Sequence, residues 1–214
     1  EADRIGARQL RAGSHYTWQV DAAGGRWSFR GAQRFDDLDP PALAGELQYA
    51  NAAAALATLS GMGVDLKPQA INHALRSLRL PGRFQVVPGP VEWILDVAHN
   101  EPAARVLALN LRQRPCAGRT LIVAGILGDK DVAAIAPLLS GAAWQVFVCG
   151  IDAPRGLTAA QLAARAPEFA QATQCVDIAA GMRAAAEAAR PGDCIVVCGS
   201  FLAVAPALER LGLY

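Results

Sequence analysis

Several absences narrow this 214-residue sequence before any positive signal is read. No apolar run approaches the roughly 20 residues needed to cross a bilayer, so no membrane partner is expected. Charge of one sign is missing too, with 20 Lys and Arg against 19 Asp and Glu. Without a basic surplus there is no electrostatic reason to expect nucleic acid or an anionic membrane surface as partner. Five cysteines, Cys116, Cys149, Cys175, Cys194 and Cys198, form no C-x-x-C pair, and only three histidines accompany them. A zinc site would lack its histidines, and an odd thiol count does not describe a disulfide framework. These cysteines read as small reduced packing residues, with Cys194 and Cys198 on one face of an apolar strand. The opening "EADRIGARQLRAG" has no apolar signal region, and a cytoplasmic location is the expectation.

Two nucleotide motifs are missing as well. No G-x-x-x-x-G-K-[ST] occurs, and no G-x-G-x-x-G follows a strand. "GILGDKD" has two glycines without the further spacing of a phosphate cradle, and no acidic cluster that would hold magnesium follows it.

What is present falls into two parts that meet near Leu80. In the first, "HYTWQV" and "RWSFRG" flank "DAAGG", a hairpin pattern of alternating aromatic and polar residues around a Gly-rich turn. "LAGELQYANAAAALATLSGMG" reads as an Ala-rich helix stopped by glycines. "DLKPQAINHALRSLRL" reads as a second helix, with Pro68 in its first turn and Ile71, Leu75 and Leu78 on one stripe. Two strands and two helices make a thin core, a small α+β piece of something larger.

From Phe84 onward the pattern becomes regular. "EWILDVA", "TLIVAGI", "WQVFVCG" and "CIVVCGS" are β-branched apolar runs of strand length, with a weaker candidate at "TQCVDI". Between them lie the helical segments "PAARVLALNLRQ", "VAAIAPLLS", "TAAQLAARA" and "AAGMRAAAEAAR". Strands apolar on both faces that alternate with helices predict an α/β, Rossmann-like, mostly parallel sheet with helices on both faces. Ligands of such sheets bind outside the carboxyl ends of the strands. Three junctions deliver polar groups to that edge: Asp96, His99 and Asn100; then Asp129, Lys130 and Asp131; then Ser200 and Phe201. "RPCAG" and "RPG" fall on the opposite edge and read as ordinary turns.

Asn100, Ser200 and one of Asp129 and Asp131 are placed to cap the helices that follow them. Lys130 beside a helix start opposes the macrodipole, at a cost of about 0.3–1 kcal/mol, and an anionic partner would account for it. Asp96 and His99, at the end of a buried strand, need partners, because each unpaired group costs about 1–3 kcal/mol. Either they satisfy one another or they face a ligand cleft. Pro206 is expected to kink the last helix or to end it after a short first turn.

"QYANAAAALATL", "LPGRFQVV", "ILDVAHNEPAA", "GILGDKD" and "VCGSF", in that order, resemble the C-terminal half of the bacterial dihydrofolate synthase/folylpolyglutamate synthase family, within the Mur ligase superfamily. The resemblance runs from about residue 10 to the end. It implies that residues 1–81 are the end of a central ATP-binding domain and 82–214 a complete C-terminal Rossmann-like domain. It also implies ATP-dependent joining of L-glutamate to dihydropteroate or a folate through an acyl phosphate, with ATP and Mg2+ as cofactors. The family's P-loop and magnesium ligands have no counterpart in this stretch. They are expected in an N-terminal P-loop domain that would be this chain's partner, and the stretch alone is expected to be inactive.

Carried onto this sequence, the resemblance assigns Asn51, Arg83 and Asp96 to ATP. His99 and Lys130 take catalytic places, His99 near the phosphates and Lys130 with Ser200 and Phe201 at the carboxylates of the incoming glutamate, and no residue here binds metal. The rivals are a dinucleotide-binding oxidoreductase, a non-catalytic α/β module and a peptidoglycan amino-acid ligase of the Mur type.

Overall fold

A computed structural model describes residues 2, 4–22, 25–43 and 45–213, and its contacts divide the chain into two units, Glu1–Arg79 and Leu80–Tyr214.

In the first unit three strands, β1 (Thr17–Val20), β2 (Trp27–Arg30) and β3 (Arg34–Leu38), form an antiparallel sheet in that order. The expected hairpin is β1–β2, with Thr17 opposite Arg30 and Val20 opposite Trp27; Ala23 and Gly24 of its turn lie outside the described residues. The third strand was not expected. Its sequence, "RFDDL", is mostly polar, and Asp37 takes a left-handed backbone (φ 55°). Helices α1 (Leu47–Gly61) and α2 (Pro68–Ser77) follow. Trp27, Phe29, Phe35 and Leu38 pack with Leu56, Ile71 and Leu75 as the core. Leu78 does not join the expected stripe: it follows the last turn of α2 with extended backbone and is 44% exposed.

The second unit holds a six-stranded sheet: β4 (Gln85–Val87), β5 (Glu92–Asp96), β6 (Thr120–Ala124), β7 (Gln145–Cys149), β8 (Thr173–Cys175) and β9 (Cys194–Cys198), in the spatial order β4-β5-β9-β6-β7-β8. All neighbours are parallel except β4, which is antiparallel to β5. The mostly parallel α/β sheet is therefore as expected, and β4 is an added edge strand of half-buried residues.

The order dictates the faces. β5 to β6, β6 to β7 and β7 to β8 all advance the same way, through α3 (Glu101–Gln113), α4 (Val132–Ser140) and α5 (Ala159–Ala163). Right-handed crossovers put those three helices on one face. The return from β8 to β9 reverses direction, so α6 (Ile178–Ala188) and then α7 (Phe201–Arg210) cover the other. There Leu95, Val97, Leu121, Val123, Phe147, Ile195 and Val197 pack against Ile178, Met182, Val204 and Leu208. Alternation turns Ile94, Ile122 and Val196 to the α3–α4 side, with Cys194 and Cys198 on one face as expected. α7 runs through Pro206 to Arg210 and does not end at its first turn. The amide hydrogen that proline lacks would have served the carbonyl of Leu202, a residue 47% exposed, where water can serve instead. No helix among the described residues is long and apolar enough to cross a membrane.

Candidate functional site

β9 lies between β5 and β6, with Asp96, Cys198 and Ala124 in register at their carboxyl ends. The chain leaves β5 and β6 toward the α3–α4 face and leaves β9 toward α7. Where neighbouring strands send their chains to opposite faces, a crevice opens at the sheet edge, and this is where such folds take ligands. All three polar junctions seen in the sequence leave from this edge.

Two glycines shape the crevice. Gly199 has φ 114°, and a Cβ there would drive into the carbonyl oxygen of Gly125. The turns after β9 and β6 thus touch backbone to backbone, sealed by the Gly125 amide donating to the Cys198 carbonyl (3.0 Å). Gly82 (φ 69°) lets the incoming segment lie on α7 and the end of β5, because a Cβ would stand 2.9 Å from Val204 and 3.0 Å from Val97.

Asp96 and His99 do not pair. The Asp96 carboxylate accepts the Phe84 amide on Oδ2 (2.9 Å) and the Ala98 amide on Oδ1 (2.8 Å). Phe84, buried and at φ 44°, is thereby held in a left-handed conformation uncommon for a bulky residue. Burial pushes the Asp96 carboxyl above its ordinary range, against the pull of the two amides and of the nearby Arg83. His99 sets Nδ1 2.8 Å from the Val97 carbonyl. A carbonyl only accepts, so Nδ1 carries the hydrogen, and in the neutral ring Nε2 is the nitrogen left to accept. Of the two expectations, mutual satisfaction does not hold: backbone groups serve both side chains.

Arg83 is exposed and places its guanidinium carbon 6.0 Å from the centre of the Phe201 ring, the outer range of a cation–π contact. Phe201 is 61% exposed. Three residues assigned from separate stretches, Arg83, Asp96 and Phe201, therefore stand together. Ser200 is different. Its hydroxyl is buried, accepts the Ala203 amide (3.0 Å) and donates to the Gly125 carbonyl (3.3 Å), so it caps α7 and ties β9 to β6. Asn100 caps α3 through the Ala103 amide (2.9 Å), and Asp131, not Asp129, caps α4 through the Ala134 amide (3.1 Å).

Lys130 is half-buried, its ammonium 3.1 Å from Asp129. Arg155 reaches the same oxygen at 2.9 Å, a participant for which the sequence carried no signal. Lys130 and then Arg155 hold the Asp129 carboxyl below its ordinary range. Asn51 belongs to the first unit, on the exposed side of α1, where its amide donates to Gln48 (3.1 Å). The described residues contain no cluster of three His, Cys, Asp or Glu able to hold a metal ion.

This sheet edge thus carries an exposed guanidinium near an aromatic ring, a lysine paired with Asp129, a histidine and the starts of α3, α4 and α7. Helix starts carry positive partial charge, and the donor set suits an anion such as a phosphate or carboxylate.

The family model described as Mur ligase, glutamate ligase domain, matches residues 82–201. The chain is 34% identical to the dihydrofolate synthase/folylpolyglutamate synthase of Escherichia coli K12, over 90% of its own length and 44% of that protein's. The solved structure of E. coli FolC in complex with DHPP and ADP superposes with a TM-score of 0.85 at 34% identity, covering 99% of this chain and 49% of that one. A bifunctional folylpolyglutamate synthase/dihydrofolate synthase with Mn, AMPPNP and L-glutamate bound gives a TM-score of 0.85 at 35% identity, over 99% and 50%. This chain spans about half the length of those relatives. With the family model covering more than half of its residues, the chain belongs to the Mur ligase family and carries that family's glutamate ligase domain.

Proposed function

We propose that this chain is part of an ATP-dependent ligase that joins L-glutamate to the carboxylate of dihydropteroate or a folate through an acyl phosphate. The observation that carries this reading is the shared edge of β5, β9 and β6, where the Asp96, Ser200 and Lys130 junctions leave side by side in a glutamate ligase domain.

In this reaction the substrate carboxylate takes the γ-phosphate of ATP, the glutamate amine attacks the acyl carbon, and phosphate leaves. Arg83 neutralises phosphate charge with its guanidinium fork. Asn51 offers the adenine edge one donor and one acceptor. Asp96 holds the Arg83 segment in place, and the lone pairs its two amide bonds leave over suit a ribose hydroxyl. His99 presents Nε2 near the phosphates. Lys130 and the first turn of α7 receive the carboxylates of glutamate. Phe201 forms the wall beside them, while Ser200 keeps that turn in position. The donors for Mg2+ and the grip on the triphosphate come from a P-loop domain outside these residues. Five free cysteines suit a reducing cytoplasm.

The test is incorporation of labelled L-glutamate into dihydropteroate and folates by the full-length protein with ATP and Mg2+, beside the 214-residue chain alone. Incorporation by the full-length protein only, with kcat/KM for ATP about 10- to 100-fold lower in Arg83→Ala, is the expected outcome; it matches loss of one charge-assisted contact of about 1.5–3 kcal/mol. No incorporation by the full-length protein, or turnover by the isolated chain, would overturn the reading.

A further inference from the structure

The opposite edge of the same sheet carries chemistry that the ligase reading does not use. The turns expected to be ordinary, 114–118 before β6 and 190–192 before β9, are bound to each other. The buried Asp193 carboxylate accepts the Arg119 amide (2.7 Å), the Arg190 amide (2.8 Å) and the Arg119 guanidinium (2.6 Å). The Gly118 amide donates to the Gly192 carbonyl at 2.7 Å. Arg119 in turn lies over the Trp144 ring, 4.1 Å from its centre.

This clamp brings together two thiols far apart in the chain, Cys116 and Cys194. Cys116, half-buried in the first turn, sets its sulfur 3.8 Å from the Thr120 hydroxyl. Cys194, buried at the start of β9, sets its own 3.4 Å from the same hydroxyl. One hydroxyl, that of Thr120, is thus the shared neighbour of both sulfurs. Access comes through Cys116, which lines two open clefts, of about 380 Å³ beside Glu92 and Arg114 and about 330 Å³ beside Leu111 and Gly141. Arg114, which lines the first of these clefts with Cys116, pairs its guanidinium with Glu92.

We propose that Cys116 and Cys194 form a reversible disulfide when the protein meets a peroxide. The Cys116 thiolate attacks one peroxide oxygen and becomes a sulfenic acid as hydroxide leaves. The Cys194 sulfur then attacks the Cys116 sulfur, its proton and the departing hydroxide forming water. Two thiols are oxidised by two electrons and the peroxide is reduced. Cys116 sits in a turn outside any helix or strand, its sulfur also 3.5 Å from the Gly118 carbonyl and 3.4 Å from that of Arg119. A second pair, Cys149 and Cys175, faces across β7 and β8 in register, but both are buried. That pair is the internal control.

The experiment treats the 214-residue chain with a few equivalents of hydrogen peroxide. It then counts free thiols after denaturation and maps non-reduced peptides by fragment-ion mass spectrometry. Free thiols should fall from five to three, with Cys116 joined to Cys194 within one molecule and reversed by dithiothreitol. In Cys194→Ser, Cys116 should instead be trapped by dimedone as the sulfenic acid; Cys116→Ser should retain its remaining four thiols. Cys116 left reduced, a link to Cys149, Cys175 or Cys198, or only an intermolecular Cys116–Cys116 link would overturn the proposal. Because the site lies on the edge away from the nucleotide crevice, these readouts stand whatever the ligase assay returns.

Discussion

Replacing Asp96 with asparagine removes a charge and almost no volume, and the structure sets what should follow. The native carboxylate uses one oxygen for the Phe84 amide and the other for the Ala98 amide. Asparagine has a single acceptor oxygen. Whichever amide it keeps, its own NH2 must face the other, donor against donor. A bond to a charged acceptor is worth about 1.5–3 kcal/mol, and leaving a buried donor unpaired costs about 1–3 kcal/mol. Relief of the buried charge offsets part of this, because burial already holds the Asp96 carboxyl above its ordinary range. The net expectation is a loss of about 2 kcal/mol at neutral pH, read as a lower urea midpoint at unchanged slope.

The pH dependence has a definite sign. A carboxyl whose folded pKa is raised binds its proton more tightly when native. Its contribution is therefore fully present below the unfolded value of 3.8 and is lost as pH rises through the raised folded value. Asparagine has no such titration, so the stability gap between native and Asp96→Asn should be widest in acid and narrow as pH rises. A variant as stable as the native protein at neutral pH, or a gap that widens with pH, would refute the reasoning.

Two further substitutions probe the neighbouring turn. Gly199→Ala puts a methyl into the Gly125 carbonyl at a backbone angle of 114°, and strain and overpacking together should cost about 3 kcal/mol or more in chemical denaturation; a loss under about 1 kcal/mol would mean the two turns separate easily. Ser200→Ala removes the α7 cap and the tie to Gly125 and should cost about 1–2 kcal/mol; an unchanged urea midpoint would show that the hydroxyl has no structural part.

Read alone, the sequence determined the parallel core, because strands buried on both faces need continuous apolar runs and the helices between them need an apolar stripe. It also placed the polar junctions at strand ends and the caps Asn100 and Ser200, whose signals lie within four residues of the groups they serve. Strands with little apolar content escaped it: β3 is mostly polar, and β4 has three half-buried residues at a sheet edge. Only the tertiary structure decided that β9 inserts between β5 and β6, since runs apolar on both faces carry no local code for their neighbours. That insertion brings the Ser200 hydroxyl to the Gly125 carbonyl 75 residues away and Cys194 to Cys116. The wrap of the Gly82–Phe84 segment against β5 likewise hands Asp96 an amide from 12 residues upstream. Sequence spacing reports which groups leave a strand end, whereas the partners they meet depend on chain packing at long range.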